Sequence, residues 1–320
     1  MKVLLIAKPT TDPATRYRML PLQRELEAKG HRVRFWHDHG RSIALARQAT
    51  WADVIVLQRR LVTQPLLWWL RRCARQLIFD FDDAIFARSD GTDSLVRSRR
   101  FQQVVNRADQ SWCGNRYLME QAQRSGAANV HWLPTAISPE PYAAPVDKAD
   151  APTLVWVGSS STRKYLEAFR PLFEKIGDRI PKLRLRILAD FDFELENLVV
   201  ENFAWSAAEE VKHIKSAHIG IAPMTDDGWS RGKCGLKVLQ YMAASLPVVC
   251  SPVGVNRELV DQGVSGYLAD GVDGWSEAIG DLLNHPDRAA EFGMAGRRLV
   301  EEKYSQSAVV SEQLRLLQLD

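Results

Sequence analysis

A chain of 320 residues exceeds the roughly 250 to 300 at which a single hydrophobic core stops growing, so two domains are expected. With 46% apolar and 25% charged residues the composition is that of a globular protein, neither disordered nor membrane-spanning. The net charge of +3 hides an asymmetry: residues 1–146 hold 22 lysines and arginines against 13 acidic residues, the remainder 20 against 26. A basic first half attracts nucleic acid, an anionic membrane face or a phosphate-bearing acceptor; arginines that merely solvate helix faces explain it equally well. Cys73, Cys113, Cys234 and Cys250 lack CxxC or metal-ligand spacing, which favours reduced thiols in a cytoplasmic setting and no metal site. The apolar run Val3–Ala7 is too short for a signal peptide and reads as a first strand, with no export expected.

Short apolar runs then alternate with helix-like stretches: Lys2–Ala7, Arg32–Trp36, Val54–Leu57, Leu77–Phe81, Gln110–Cys113 and Val130–Leu133. Buried strands separated by amphipathic helices imply βαβ units and a parallel sheet. Residues 134–152 carry Pro134, Pro139, Pro141, Pro145 and Pro152 among small and charged residues, a linker composition. The alternation restarts with Thr153–Val157, a helix over 162–176, Leu183–Leu188, Leu198–Trp205, His218–Pro223, a helix over Gly235–Ala244, and Val248–Cys250. The expected division is an N-terminal domain over 1–145, a C-terminal one over 146–304, and a terminal helix over 305–320 whose Val309, Val310, Leu314, Leu316 and Leu317 form one stripe, able to pack back on the first domain. Two open α/β sheets bind ligands at the carboxyl ends of their strands and can face each other across a cleft.

The loop after the seventh run reads Gly158-Ser159-Ser160-Ser161-Thr162-Arg163-Lys164. Gly158 permits close backbone approach, Ser159 or Thr162 can cap the following helix, and exposed N–H groups with Arg163 and Lys164 would suit a diphosphate. Ordinary strand-to-helix punctuation uses the same residues. A second basic and glycine-rich stretch runs from Asp226 through Trp229, Arg231, Gly232, Lys233, Cys234, Gly235 and Lys237 to Gln240 and Pro247. Arg231, Lys233 and Lys237 fit phosphate neutralisation, although Lys237 also reads as a solvated helix residue.

Gly235–Val249, with Ser251-Pro252-Val253-Gly254 and Gly266-Tyr267-Leu268, resembles the C-terminal domain of the retaining family-4 (group 1) glycosyltransferases. More weakly, Gly158–Phe169 resembles that family's donor loop and Trp132–Ile137 its strand-to-linker signature. The resemblance implies a GT-B fold of two Rossmann-like domains, a nucleoside diphosphate sugar as co-substrate, no metal or other cofactor, and retention of anomeric configuration. Position by position it places Gly158, Ser159, Arg163 or Lys164, and Lys237 at the donor diphosphate and Trp205 at the nucleobase; a buried strand-end tryptophan is an equal account of Trp205. The family carries two glutamates eight positions apart where this chain has Gly232 and Gln240. Gln240 can hydrogen-bond a ribose, but Gly232 offers no carboxylate.

Asp80-Phe81-Asp82-Asp83 follows a buried strand, where crowded carboxylates need cationic or hydroxyl partners. Asp82 or Asp83 is the candidate general base or acceptor ligand, with a structural cluster the even alternative. Thr15-Arg16-Tyr17-Arg18 sits where the first domain would meet an acceptor, and surface arginines account for it as well. Arg59-Arg60 and Leu66–Arg72 combine aromatic and basic character suited to peripheral membrane contact, Leu66, Leu67 and Leu70 being the side expected to pack on the sheet. His31, His37 and His39 lie around the second strand, away from any catalytic loop. The expected activity is sugar transfer to a glycan or lipid-linked hydroxyl acceptor in the cytoplasm, peripheral at the inner membrane face, without nucleic acid. The competing readings are a non-catalytic nucleotide- or glycan-binding homologue and a metal-dependent phosphohydrolase using Asp80 and Asp82.

Overall fold

The computed structural model describes residues 1–37 and 42–319, so His39 lies outside the described residues. The chain forms two compact units. The first contains Met1–Ala136, the short segment Asp227–Cys234 and the chain from Gln306 onward; the second contains Ile137–Asp226 and Gly235–Ser305.

In the first unit β1 (Lys2–Ile6) leads through a π-helical turn, Thr15–Met19, into α1 (Leu20–Ala28). There follow β2 (Arg32–Trp36), α2 (Ser42–Ala49), β3 (Val54–Gln58), α3 (Gln64–Cys73), β4 (Gln76–Phe81), α4 (Leu95–Arg107), β5 (Gln110–Cys113), α5 (Arg116–Arg124) and β6 (Val130–Trp132). All six strands are parallel, in the order β2-β1-β3-β4-β5-β6. Helices cover both faces, which is why β1 reads as a continuous apolar run. Val3 and Leu5 pack with α1, while Leu4 and Ile6 pack with α2, α3 and α4. Ser94 and Asn115 cap α4 and α5 by accepting from the backbone N–H of Arg97 and Leu118.

The second unit holds β7 (Thr153–Val157), α6 (Arg163–Arg179), β8 (Arg184–Ala189), β9 (Val199–Ala204), α7 (Glu210–Lys215) and β10 (Ile219–Ala222). The chain then contributes α8 (Gly228–Arg231) to the first unit. It resumes the second with α9 (Leu236–Ala243), β11 (Val248–Cys250), α10 (Asn256–Leu259), β12 (Gly266–Leu268), α11 (Gly271–Asn284) and α12 (Pro286–Leu299). Finally α13 (Gln306–Leu316) packs against α1, with Val309, Val310 and Leu314 in the same core as Leu22 and Leu26.

The second sheet is also parallel, ordered β12-β11-β10-β7-β8-β9. From β7 the chain builds outward through β8 and β9, then returns to the other side of β7 with β10, so the winding reverses between β7 and β10. Such a reversal opens a crevice at the strands' carboxyl ends. Here the pairing of β7 with β10 covers only Leu154 with Ile219 and Val155 with Gly220. Beyond that register the Tyr241 hydroxyl accepts a hydrogen bond from the Val157 N–H at 3.0 Å, taking the place of a strand partner. The expected strands and the 235–244 helix are present. The three-residue β12 was not legible as a strand, being too short to alternate; Gly266 lets it press against the Val248 carbonyl, where a Cβ would not fit.

Glycine substitutions separate packing from propensity. Gly220 lies against the Tyr241 ring, so Gly220→Ala is expected to destabilise by about 1–3 kcal/mol. Gly280, inside α11 with open space around it, is expected to stabilise by about 0.5–1 kcal/mol when changed to Ala. Urea denaturation of the two variants checks both signs.

Candidate functional site

The residues at the carboxyl end of β7 gather on an aromatic platform. Trp156 is fully buried near the end of β7, and its six-membered ring lies directly beneath Gly158, leaving no room there for a Cβ. The Lys237 Nζ stands over the Trp156 ring at 4.1 Å. On the other side Phe191, just after β8, meets Trp156 edge-on at 6.0 Å between centroids, and the Arg163 guanidinium lies 5.1 Å from the Phe191 ring. Gly158, Arg163 and Lys237, three residues singled out in the sequence, are thus joined through two rings at the β7/β10 reversal. A cation over an indole is held by the ring's quadrupole, worth about 0.5–2 kcal/mol. Arg163 also pairs with Glu167 at 3.0 Å, and the Lys164 Nζ lies 5.1 Å from the Tyr165 ring.

The amides of this loop differ from the sequence expectation. Gly158 N–H donates to the Leu188 carbonyl at 3.0 Å and Thr162 N–H to the Ser159 carbonyl at 2.8 Å. Ser159 N–H donates to the Thr162 hydroxyl at 3.1 Å, and Ser160 N–H to Asp190 at 2.6 Å. The reciprocal capping of Ser159 and Thr162 and the Asp190 carboxylate therefore satisfy the groups expected to be bare. The loop keeps the Arg163 and Lys164 side chains and the Ser159 and Ser161 hydroxyls, which lie 2.8 Å apart.

Trp205 follows β9, is 40% exposed, and its Nε1 donates to Glu210 at 2.7 Å. Glu210 is itself buried, so it fixes the indole's orientation, and the exposure of Trp205 argues against a purely core residue. Gln240 is buried within α9.

Arg231 and Lys233, expected beside Lys237 from charge alone, belong to the first unit with the rest of Asp227–Cys234. Lys233 pairs with Asp83 at 2.9 Å, with its Nζ 4.6 Å from the Trp229 ring. Asn115 donates to the carbonyls of Arg231 and Lys233 at 3.0 and 2.8 Å. Gly232 explains its own identity: a Cβ there would lie 2.6 Å from the Ala84 Cβ and 2.7 Å from its nitrogen, so no glutamate fits this path.

The carboxylates at the end of β4 form a compensated ionic network. Asp80 accepts from the Arg18 Nε at 3.1 Å and from Gln58 at 3.3 Å, while Arg18 also donates to the Leu133 carbonyl at 2.8 Å. Arg59, in a left-handed conformation at φ +51°, pairs with Asp82 and, at 2.9 Å, with Asp83. Asp80, Asp82, Asp83 and Arg18 are all buried. Burial alone would raise the Asp82 carboxyl, but Arg59, then Arg18 and Lys233, outweigh it and hold Asp82 below the usual carboxylate range. A general base works best near the operating pH, so this environment weakens Asp82 in that role. Arg18, expected at the acceptor, is instead spent on Asp80. A nucleophilic Asp80 is likewise disfavoured, since it is fully buried beneath Arg18. Arg16 donates to the Tyr17 hydroxyl at 2.7 Å, its guanidinium 4.8 Å from that ring.

Sequence reasoning missed Trp156, Phe191, Tyr241 and Asn115, and it assigned to membrane contact an Arg59 that is instead committed to Asp82 and Asp83. Trp156 had a signal in hindsight, an aromatic residue inside a strand that ends at a glycine loop. Because the folded Asp82 is more acidic than the unfolded one, its stabilisation is complete above the unfolded value near ~4 and is lost as pH falls through the folded value. Asp82→Asn is expected to cost about 3 kcal/mol at pH 7, with the gap to wild type closing in acid, as read by denaturation at both pH values.

Residues 151–285 match the family model for glycosyl transferases group 1. Curated relatives match over shorter stretches. The GDP-mannose-dependent alpha-(1-6)-phosphatidylinositol monomannoside mannosyltransferase of Mycolicibacterium smegmatis is 43% identical over 65 residues, 20% of this chain and 17% of that protein. The D-inositol 3-phosphate glycosyltransferase of Thermobispora bispora is 35% identical over 86 residues, 26% of this chain and 19% of that protein. The matched stretches thus span less than a fifth of these relatives' length. Among solved structures, sucrose-phosphate synthase from Thermosynechococcus elongatus superposes with a TM-score of 0.80 at 16% identity, over 99% of this chain and 98% of that one. Anabaena HepE, solved in complex with UDP and glucose, gives 0.76 at 13% identity over 99% of both chains. Residues 151–285 are thus similar to the glycosyl transferases group 1, and the chain is built on the GT-B fold.

Proposed function

We propose that this chain is a glycosyltransferase that moves a sugar from a nucleoside diphosphate sugar to a hydroxyl acceptor of a glycan or lipid-linked glycan. The observation that carries the reading is the meeting of Gly158, Lys237 and Arg163 on Trp156 and Phe191, where the second sheet reverses its winding. In the reaction the acceptor oxygen bonds to the anomeric carbon as the bond from that carbon to the diphosphate oxygen breaks, the electron pair leaving with the diphosphate. Lys237, with Arg163 and Lys164 beside it, neutralises the departing charge, and fixed cations of this kind need no reorganisation as the charge develops. Ser159 and Thr162 shape the loop, Trp205 offers a face to the base, and Gln240 is assigned to the ribose. Retention follows from the family resemblance. Arg16 and Tyr17 are assigned to the acceptor, while Arg18, Asp82 and Asp83 become positioning residues that, with Arg231 and Lys233, seat the segment 227–234.

Uridine and guanosine diphosphate sugars are the first donors to try, since HepE was solved with UDP and the mycobacterial relative is named as GDP-mannose-dependent. Four free cysteines support a cytoplasmic location. Among the described residues no helix is long and apolar enough to cross a membrane; contact with lipid-linked acceptors would be peripheral. Gly232 in place of a carboxylate favours one alternative, a homologue that binds nucleotide without turnover.

Lys237→Ala is expected to lower kcat/KM by about 100-fold at a stability cost near 1 kcal/mol. Turnover of UDP- and GDP-sugars with a glycan acceptor, beside thermal melting, checks this. Undiminished turnover would remove Lys237 from the site, and nucleotide binding by the wild type without any transfer or donor hydrolysis would select the binding-only alternative.

A further inference from the structure

Three helices of the first unit carry charge of one sign within their own sequences. α2, α3 and α4 lie side by side on one face of the first sheet, their apolar sides sharing one core through Leu45, Leu67, Leu70, Phe101 and Val104. Together these three helices contain seven arginines (Arg47, Arg71, Arg72, Arg97, Arg99, Arg100 and Arg107) and no aspartate or glutamate. Arg71 is answered by Asp109 at 2.9 Å, from the loop before β5. Arg72, Arg75 and Arg107 line a recess of about 500 Å³ whose rim is Trp68, itself 54% exposed. Trp68 and Arg72 are one helical turn apart, so the indole and the cation share a face.

Apolar side chains stand exposed among these cations. Leu95 is 88% and Val96 63% exposed at the start of α4, and Ile43 is exposed on α2. Half-exposed Trp69 is anchored differently, its Nε1 donating to the Ala46 carbonyl and tying α3 to α2. A lone exposed leucine means little, but aliphatic and indole groups interleaved with unbalanced arginine across three adjacent helices form a surface with a preferred environment.

We propose that this α2–α3–α4 face docks on an anionic phospholipid bilayer, with Trp68, Leu95 and Val96 entering the headgroup region and Arg72, Arg75, Arg99, Arg100 and Arg107 binding lipid phosphates. Arginine's planar fork suits phosphate oxygens, whether of lipids or of nucleic acid. The aliphatic side chains decide between the two: they gain nothing from a phosphodiester backbone and gain burial at the acyl boundary. Stable attachment needs two weak signals, apolar insertion and a basic patch, and this face has both. The inference deepens the peripheral contact proposed above by naming its surface and its partner; it does not depend on sugar transfer.

The test is cosedimentation of the full chain with vesicles of phosphatidylcholine containing about one quarter phosphatidylglycerol, against pure phosphatidylcholine vesicles, with turnover on a soluble acceptor measured in parallel. Expected is binding to the anionic vesicles alone, weakened by salt, and reduced at least about tenfold by R72E/R75E and by R99E/R100E, since each surface arginine is worth roughly fivefold. L95S/V96S should weaken binding at unchanged net charge. All three variants should keep wild-type melting and soluble-acceptor turnover. Equal binding to neutral vesicles, binding that survives both charge reversals, or arginine-dependent binding of an RNA or DNA duplex without vesicle binding would overturn the proposal. Self-association lost in the same variants without vesicle binding would assign the face to a second copy and overturn it too. Vesicle binding without turnover would leave this inference standing and remove the transfer reading, so the two failures are distinguishable.

Discussion

The Trp156 indole sits between the sheet of the second unit and the residues that would handle a charged ligand, and the arrangement above β7 depends on it. Its ring occupies the volume a side chain at position 158 would need, so the loop can pass over it only as glycine. Its face carries the Lys237 ammonium, and it makes a T-shaped contact with Phe191, over which Arg163 lies. Among the described residues the buried Nε1 has no hydrogen-bond partner, so the ring is held by packing alone. A lysine from α9 and an arginine from α6, 74 positions apart in the chain, are thereby brought to one strand end.

The first unit solves a different problem at the corresponding end of its sheet. Three carboxylates at the end of β4 face Arg18, Arg59 and Lys233, each cation drawn from a different stretch of sequence. Removing carboxylates and cations from water is costly, and such networks hold only when nearly every group is answered. Here the answer includes Lys233, contributed by a segment lying in sequence between β10 and α9. That segment is fitted closely, with Gly232 against Ala84 and Gly114 against Cys234. A side chain at position 232 would collide with Ala84, and the Asp83–Lys233 pair ties this path to the end of β4.

Much of the architecture was legible because parallel strands buried on both faces produce apolar runs that need no partner to be recognised, as in Val54–Gln58 and Thr153–Val157. The glycine loop at 158 and Lys237 were legible as types at positions. What joined them was not: a tryptophan inside a strand reads as core, and only coordinates show which ring a distant lysine covers. The bare-amide expectation at 158–162 failed because Asp190, 30 residues on from Ser160, and the Ser159–Thr162 capping pair claim those donors. Proximity in sequence also does not reveal that the chain changes units between Cys234 and Gly235, so that Arg231 and Lys233 belong to one unit and Lys237 to the other. The α2–α4 surface was visible only in part, as the Trp68–Arg72 cluster; its extent depends on three helices lying side by side.

A crystal structure of the chain with a nucleoside diphosphate bound tests the central claim most directly. The account predicts the diphosphate over Gly158, with an oxygen about 3 Å from the Lys237 Nζ while the lysine remains above Trp156. A diphosphate held elsewhere, with the Lys237–Trp156 contact intact and no ligand oxygen near either residue, would contradict it.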